Sequence, residues 1–211
     1  MAIAFQTATN GGSTNPGTSH TFAHTTSTGS NRILFVLAFG GNDGDFLTDC
    51  TYAGTSATLI DKSQEPGGGH FMYSFYQVAP ATGANNVVIT MSASKFISGG
   101  AHDYTGALQT GVPDAKIEGV GIFTTTLTTV ADNCWTVLHA NNGAELTAGA
   151  GSTDRTNSTI SWEIFDSNAV ITPAGSTSMT FSGGTEANAR TTMFSFAPSL
   201  GGDFTPRVIM F

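Results

Sequence analysis

The side chains with the widest chemical reach in this chain are its five histidines, His20, His24, His70, His102 and His139. Metal binding or acid–base work would need two or three of them, or one beside a carboxylate, within a few ångströms. His20 and His24 share one face of the strand-like stretch TSHTFAHTT (18–26), four residues apart. In an extended strand that spacing is about 13 Å, too far for a shared ion without a third element. The histidines are therefore expected at surface or rim positions. The segment Gly41–Asp49 (GNDGDFLTD) gathers Asp43, Asp45 and Asp49 around a glycine turn. Calcium takes carboxylates on such loops, but the spacing is not that of an EF-hand, and aspartates also cap ordinary turns. No metal site is expected.

Glycan hydrolysis requires two carboxylates facing each other across a cleft. Here Asp61, Glu65, Asp103, Glu118, Glu145, Glu163, Asp166 and Glu186 belong to no motif and are expected in loops and on outer faces. A serine nucleophile would need a strained elbow, and G-x-S-x-G does not occur. EPGGGH and GGTEANAR are glycine-rich but lack the Lys-Ser/Thr of a phosphate loop. The reading is no enzyme, no catalytic residue and no cofactor. The aromatic run FMYSFY (71–76) remains, because exposed Tyr and Trp rings make flat platforms for sugars. Alternation places Tyr73 with Phe75 and Tyr76 with Met72 on opposite faces. Tyr73 and Tyr76 are thus the candidate ligand platform, set against a plain core role for the run. Trp135 and Trp162 fall on apolar faces and read as core.

The elements that must carry these residues are strands. Only 10% of residues are charged, while Gly (26 residues), Thr, Ser and Asn recur throughout. No window holds a 3.6-residue apolar stripe. Strand patterns cover Ile3–Ala8, Thr18–Thr26, Arg32–Phe39, Thr51–Ala53, Ala57–Asp61, Phe71–Val78, Asn86–Ser92 and Ile97–Tyr104. They continue through Gly121–Val130, Cys134–Ala140, Thr159–Phe165, Ser178–Ser182 and Arg190–Phe196, each bounded by turn residues. Gly106–Gly119 reads as a loop. Many short strands without intervening helices predict an all-β fold, an antiparallel double-sheet β-sandwich of jelly-roll-like type. Ile33–Phe39 is apolar on both faces, as a covered central strand must be, whereas Ile160–Ile164 alternates like a strand with Ser161 and Glu163 on a wet face.

The halves echo each other. Aligning Asn31 with Asn133 sets Ile33, Phe35 and Leu37 on Trp135, Val137 and His139; VVITMS parallels TSMTFS, and HTFAHTT resembles FTTTLTTV. A duplication covering 18–106 and 121–197 and a single sandwich of shared composition both fit. In this comparison the second copy is the wetter, more peripheral one. The expected organisation is one domain over 1–200 and an apolar tail over 201–211, in which Val208, Ile209, Met210 and Phe211 either close the sheet or dock on a neighbouring subunit by strand addition.

The formal charge is −8 with no Lys/Arg cluster, which argues against nucleic acid and anionic membrane surfaces. No apolar run is long enough to span a bilayer, so membrane insertion is not expected. MAIAFQTATNGGSTN has neither the basic nor the apolar region of a secretory signal, so synthesis in the cytoplasm is expected. Cys50 and Cys134 read as small hydrophobes, and spacing does not say whether they meet.

The runs NRILFVLAF, TYAGTSATLI, FYQVAPATGANNVVITMS and AHDYTGALQTGVP resemble a Gly/Thr-rich β-sandwich module of bacteriophage structural and bacterial extracellular proteins. In its last motif Tyr104, Gly106, Gln109, Thr110 and Pro113 match; Ala53, where a second Gly is usual, and Ala107-Leu108 depart from it. The resemblance covers about residues 31–113 and the second half only loosely. It implies a structural or adhesive part and carries over no catalytic residue. The expectation is a structural protein of a virion, a capsid decoration (cement) or tail-associated protein, located in the particle. Its partners would be other capsid or tail proteins and further copies in a homo-oligomer. The alternative is a carbohydrate- or receptor-binding module of a tail fibre, with a host surface glycan as partner.

Overall fold

The computed structural model describes residues 1–41, 43–65, 69–159 and 161–199. The first half contributes β1 (Ala4–Thr26), β2 (Ile33–Gly40), β3 (Leu47–Tyr52), β4 (Thr55–Ser56), β5 (Thr58–Gln64), β6 (Phe71–Val78) and β7 (Gly83–Thr105). The second contributes β8 (Ala115–Val120), β9 (Thr124–Thr128), β10 (Trp135–Asn141), β11 (Thr147–Ala148), β12 (Thr153–Asp154), β13 (Trp162–Asp166), β14 (Ser176–Ser182) and β15 (Arg190–Phe196). A 3-10 turn, Glu186–Asn188, precedes β15. All strand pairing is antiparallel, and the fold is all-β and sandwich-like, as the composition predicts.

Asn31 and Asn133, aligned by sequence, both adopt the left-handed backbone (φ 54° and 62°) that Asn tolerates better than most residues. Each turns the chain into a fully buried strand, β2 and β10 respectively. Around these two strands the halves follow one pairing scheme. β2 lies between β6 and β7, and β10 lies between β13 and β15. β5 flanks β6 as β12 flanks β13. β7 pairs with β1 along its whole length, and the same ribbon is cut in two in the second half, as β14 with β9 and β15 with β8. β3 flanks the start of β7 as β11 flanks β14. The matching elements span 4–105 and 115–196, wider than the sequence echo, because the opening strands β1 and β8 belong to the scheme.

The long ribbons bend, so each half is a sandwich by itself, and the two sandwiches stack back to back in four layers. One core lies between the bent halves of the first ribbon, around Val36, Ala38, Tyr52, Tyr73 and Ile89. Its counterpart in the second half surrounds Leu138, Phe165, Met179 and Met193. The middle layers, β5-β6-β2-β7-β1 and β12-β13-β10-β15-β8, face each other through Ile33, Phe35, Tyr104, Trp135, Val137, Phe194 and Phe196 at one end and Leu37, Phe39, Met72, Trp162 and Ile164 at the other. Lys116 of β8 donates to the Ile60 carbonyl of β5, Ser74 of β6 meets His139 of β10, and Ser98 of β7 meets Trp162 of β13. The layers therefore stack in opposite lateral order with β2 and β10 running the same way, the arrangement produced by a two-fold axis along the strands.

Several expectations change. The stretch 134–140 is not the wetter copy: Thr136, His139 and Asn141 are as buried as their counterparts in β2, because a sheet covers each face of β10. Glu163 does not sit on a wet face, since β13 is buried on both sides. Residues 115–120, read as loop, form the edge strand β8. The pairs Ile3–Ala8 with Thr18–Thr26, and Asn86–Ser92 with Ile97–Tyr104, are continuous strands; Gly11, Gly12 and Gly17 sit at register shifts of the first instead of ending it.

Candidate functional site

Four of the five histidines are buried, contrary to the surface placement expected of them. His102 and His139 meet across the middle seam, Nε2 to Nε2 at 3.1 Å. Their tautomers follow from the partners. The Tyr104 hydroxyl donates to Asp166 Oδ2 at 2.7 Å, so towards His102 Nδ1, 3.1 Å away, it must accept. His102 then carries its proton on Nδ1 and accepts at Nε2. His139 donates from Nε2 and accepts from Ser74 Oγ at Nδ1, 2.8 Å away. A one-directional chain thus runs Ser74, His139, His102, Tyr104, Asp166. It ends at Arg155, which clamps both oxygens of Asp166 at 2.8 Å and lies 4.0 Å above the Phe5 ring.

Burial holds His139 down to about 3 and pushes His102 well below the imidazole range; the neighbouring His139 adds to the depression of His102. Burial, reinforced by Asp166, pushes the Tyr104 phenol far up. Both rings stay neutral and the phenol stays protonated. The arrangement cross-links two sheets, and Ser74, His139, His102, Tyr104 and Asp166 are all fully buried.

Two further polar groups were expected outside and lie inside. Asp103 accepts from Thr7 N, Thr7 Oγ1 and Ser27 N, with His24 Nε2 3.5 Å away. The other nitrogen of His24 is 2.9 Å from Thr9 Oγ1, and His20 is bound likewise to Thr14, because β1 folds back on its own first half. Glu163 takes the Ser158 and Ile164 backbone N–H groups and the Thr156 hydroxyl. Burial nevertheless wins and pushes it up to about 8. A hint of these placements existed in the sequence: His139 falls on Leu37, an inward position.

The aspartates of 41–49 disperse. Asp45 binds Lys62 and the Tyr73 hydroxyl, Asp49 takes Cys50 N and Ser56 Oγ, and Asp43 borders a cleft. Among the described residues no three His, Cys, Asp or Glu side chains are grouped to hold an ion. Cys50 and Cys134 are free and buried, in different layers; Cys134 Sγ donates to Asp114 at 3.1 Å.

The aromatic platform does not form as expected. Tyr73 is 1% exposed, since its face of β6 lines the first core, and its hydroxyl donates to Asp45 at 2.8 Å. Tyr76 is half-buried and lines a small cleft of about 290 Å³ with Gln77 and Gln109. Gln109, from the motif of the resemblance, accepts from Ala79 N and donates to the Ala107 carbonyl, closing the corner that leads out of the first half. Val208, Ile209, Met210 and Phe211 lie outside the described residues.

Two further features of the described surface bear on binding. A larger cleft of about 500 Å³ lies where β2 ends and β6 begins. On one flank, the edge strands β5 and β8 lie side by side, tied by Lys116 to Ile60 and by Ser63 to Glu118. That flank exposes Leu59, Ile117 and Val120, with Ile122 just beyond. Comparison with protein-family models, with curated proteins and with solved structures yields no match.

Proposed function

We propose that the protein is a structural component of a bacteriophage particle, a capsid decoration or tail-associated protein that acts through protein–protein contacts. The observation that carries this reading is the β5/β8 flank. Two unpaired sheet edges lie in parallel there and expose aliphatic side chains, and open edges recruit further strands. The flank also concentrates scarce cations, Lys62 and Lys116, each paired with an aspartate. Paired charges and aliphatics on one edge suit a specific partner better than indiscriminate strand pairing. Two lines support the particle setting: the resemblance of residues 31–113 to a module of bacteriophage structural and bacterial extracellular proteins, and the burial of the histidine and carboxylate networks. Repeated copies on a symmetric shell or tail would meet through this flank, with each other or with the underlying lattice.

The test is light scattering of the purified protein, alone and mixed with particles lacking it. Association is expected, and Ile117→Lys with Val120→Lys should weaken it by about tenfold or more, as the loss of about 1.4 kcal/mol would. A monodisperse monomer that also ignores such particles would sink the proposal.

A further inference from the structure

The larger cleft is lined by polar side chains that the protein itself leaves available. Around this cleft, the side chains of Asn15, Asp43, Ser94 and Ser161 make no hydrogen bond to another described residue. They surround an aromatic floor. His70 stacks on Phe39 with centroids 4.9 Å apart, and Phe96 stands edge-on to both, at 5.5 Å from His70 and 6.1 Å from Phe39. Phe39 is buried beneath, while His70 and Phe96 are partly exposed.

The His70 ring is held in place before any ligand arrives. Its Nδ1 lies 3.4 Å from Glu65 Oε2, which also accepts from the His70 backbone N–H at 3.1 Å. Glu65 Oε1 is fixed in turn by Asn141 Nδ2 at 2.8 Å. Nε2 of His70 has no hydrogen-bond partner among the described residues. A preset ring lowers the ordering cost of binding.

We propose that this cleft binds a neutral saccharide, one ring of it seated against Phe96 and His70. The C–H face of a pyranose is complementary to the electron-rich face of an aromatic ring. Its hydroxyls both donate and accept, which matches a rim of amide, hydroxyl, carboxylate and imidazole nitrogen. The volume falls in the range of small-molecule sites. Charge excludes the obvious rivals. Asp43 and Lys95 are of opposite sign, and Lys95 lies 4.6 Å above the Phe46 ring, so no cluster of cations selects a phosphate or an acidic sugar. The proposal is independent of the particle reading: the flank and the cleft share no residue, and a particle protein that binds no sugar remains a particle protein.

The test is an NMR titration of the full chain with a panel of neutral hexoses, N-acetylhexosamines and deoxyhexoses up to tens of millimolar. At least one sugar should shift resonances saturably, with the changes centred on 70 and 94–96. Phe96→Ala should weaken binding by about tenfold or more. Asn15→Ala with Ser94→Ala changes only exposed side chains and should weaken it several-fold; this pair decides the matter if Phe96→Ala fails to fold. Tyr76→Ala, at the other cleft, should change nothing. The proposal is overturned by the absence of any saturable shift, by binding unaffected in both cleft variants, by shifts centred on Tyr76, or by response to acidic sugars alone.

Discussion

Tyr104 is the residue on which the seam turns. Its ring touches Phe5, Phe35, His102, Trp135 and Phe196, and its hydroxyl links the imidazole chain to the Asp166–Arg155 pair. Removing only that oxygen keeps the packing and orphans two buried partners, the His102 Nδ1–H and one lone pair of Asp166. Tyr104→Phe is therefore expected to cost about 1–3 kcal/mol, the usual penalty for a buried polar group left unpaired. Urea titration should show a lower midpoint with an unchanged slope. An unchanged midpoint would contradict this hydrogen-bond order. Parts of this site were legible from the sequence. His139 aligns with Leu37, and the aromatic ending at Tyr104 matches Phe196 in register, since Ile33 pairs with Tyr104 and Trp135 with Phe196. The burial of Asp166 was not legible, because its partner Arg155 comes from another element and nothing local announces a sheet covering the outer face of β13.

At the scale of elements, most strands could be read. Gly11, Gly12 and Gly17 read as separating two strands, yet they lie at register shifts within the continuous β1. The sequence pattern divides β7 at 93–96, which holds no glycine, while Gly99 and Gly100 mark close approaches inside it. Gly100 shows why. A Cβ there would lie 2.7 Å from the Trp162 ring and 3.0 Å from the Thr9 carbonyl, so the bare backbone lets the indole lie flat on β7 and donate to Ser98. Gly100→Ala should force β7 and β13 apart and cost about 1–3 kcal/mol, as overpacking does. Trp162 fluorescence should shift towards the wavelength of a more exposed indole; a native spectrum with native stability would contradict this packing. β8 was missed for a different reason. AKIEGV does alternate, Ala115 and Ile117 against Lys116 and Glu118, but the stretch is short, and at this sheet edge Ile117 and Val120 stay exposed, so no core-facing apolar stripe marks it.

For the molecule as a whole, the sequence conveyed an all-β sandwich but not four layers, since stacking of sheets leaves no periodic trace once both faces of a strand are buried. That depth of burial sets the response to pH. His20, His102 and His139 are held below the ordinary value of 6.5 by burial, so each takes up a proton more readily when unfolded. Each withdraws stability as pH falls below 6.5, His139 until about 3. Glu163 runs the other way: raised from 4.5 to about 8, it stabilises fully below 4.5 and loses that contribution as pH rises towards 8. Between 4.5 and 6.5 three histidines outweigh one glutamate, so stability should peak near pH 6.5, with slopes of at most about 1.4 kcal/mol per pH unit per group. Urea midpoints from pH 4 to 8.5 would show it, and Glu163→Gln should flatten the decline above the peak. A wild-type midpoint still rising through pH 8 would refute the assignment.

The pseudo-two-fold stacking has a further consequence at the positions it makes equivalent. Phe35 has Tyr76 and His102 beside it; Val137, its counterpart, has Asp166 and Phe194. Were this face shared by two identical chains, each of those residues would occur twice, and a carboxylate acceptable on one side would be imposed on the other. A single polypeptide carrying both faces escapes that doubling. Its interior can hold a polar relay in one orientation only, so that its two halves fit each other as a key fits a lock, and neither can stand in for the other.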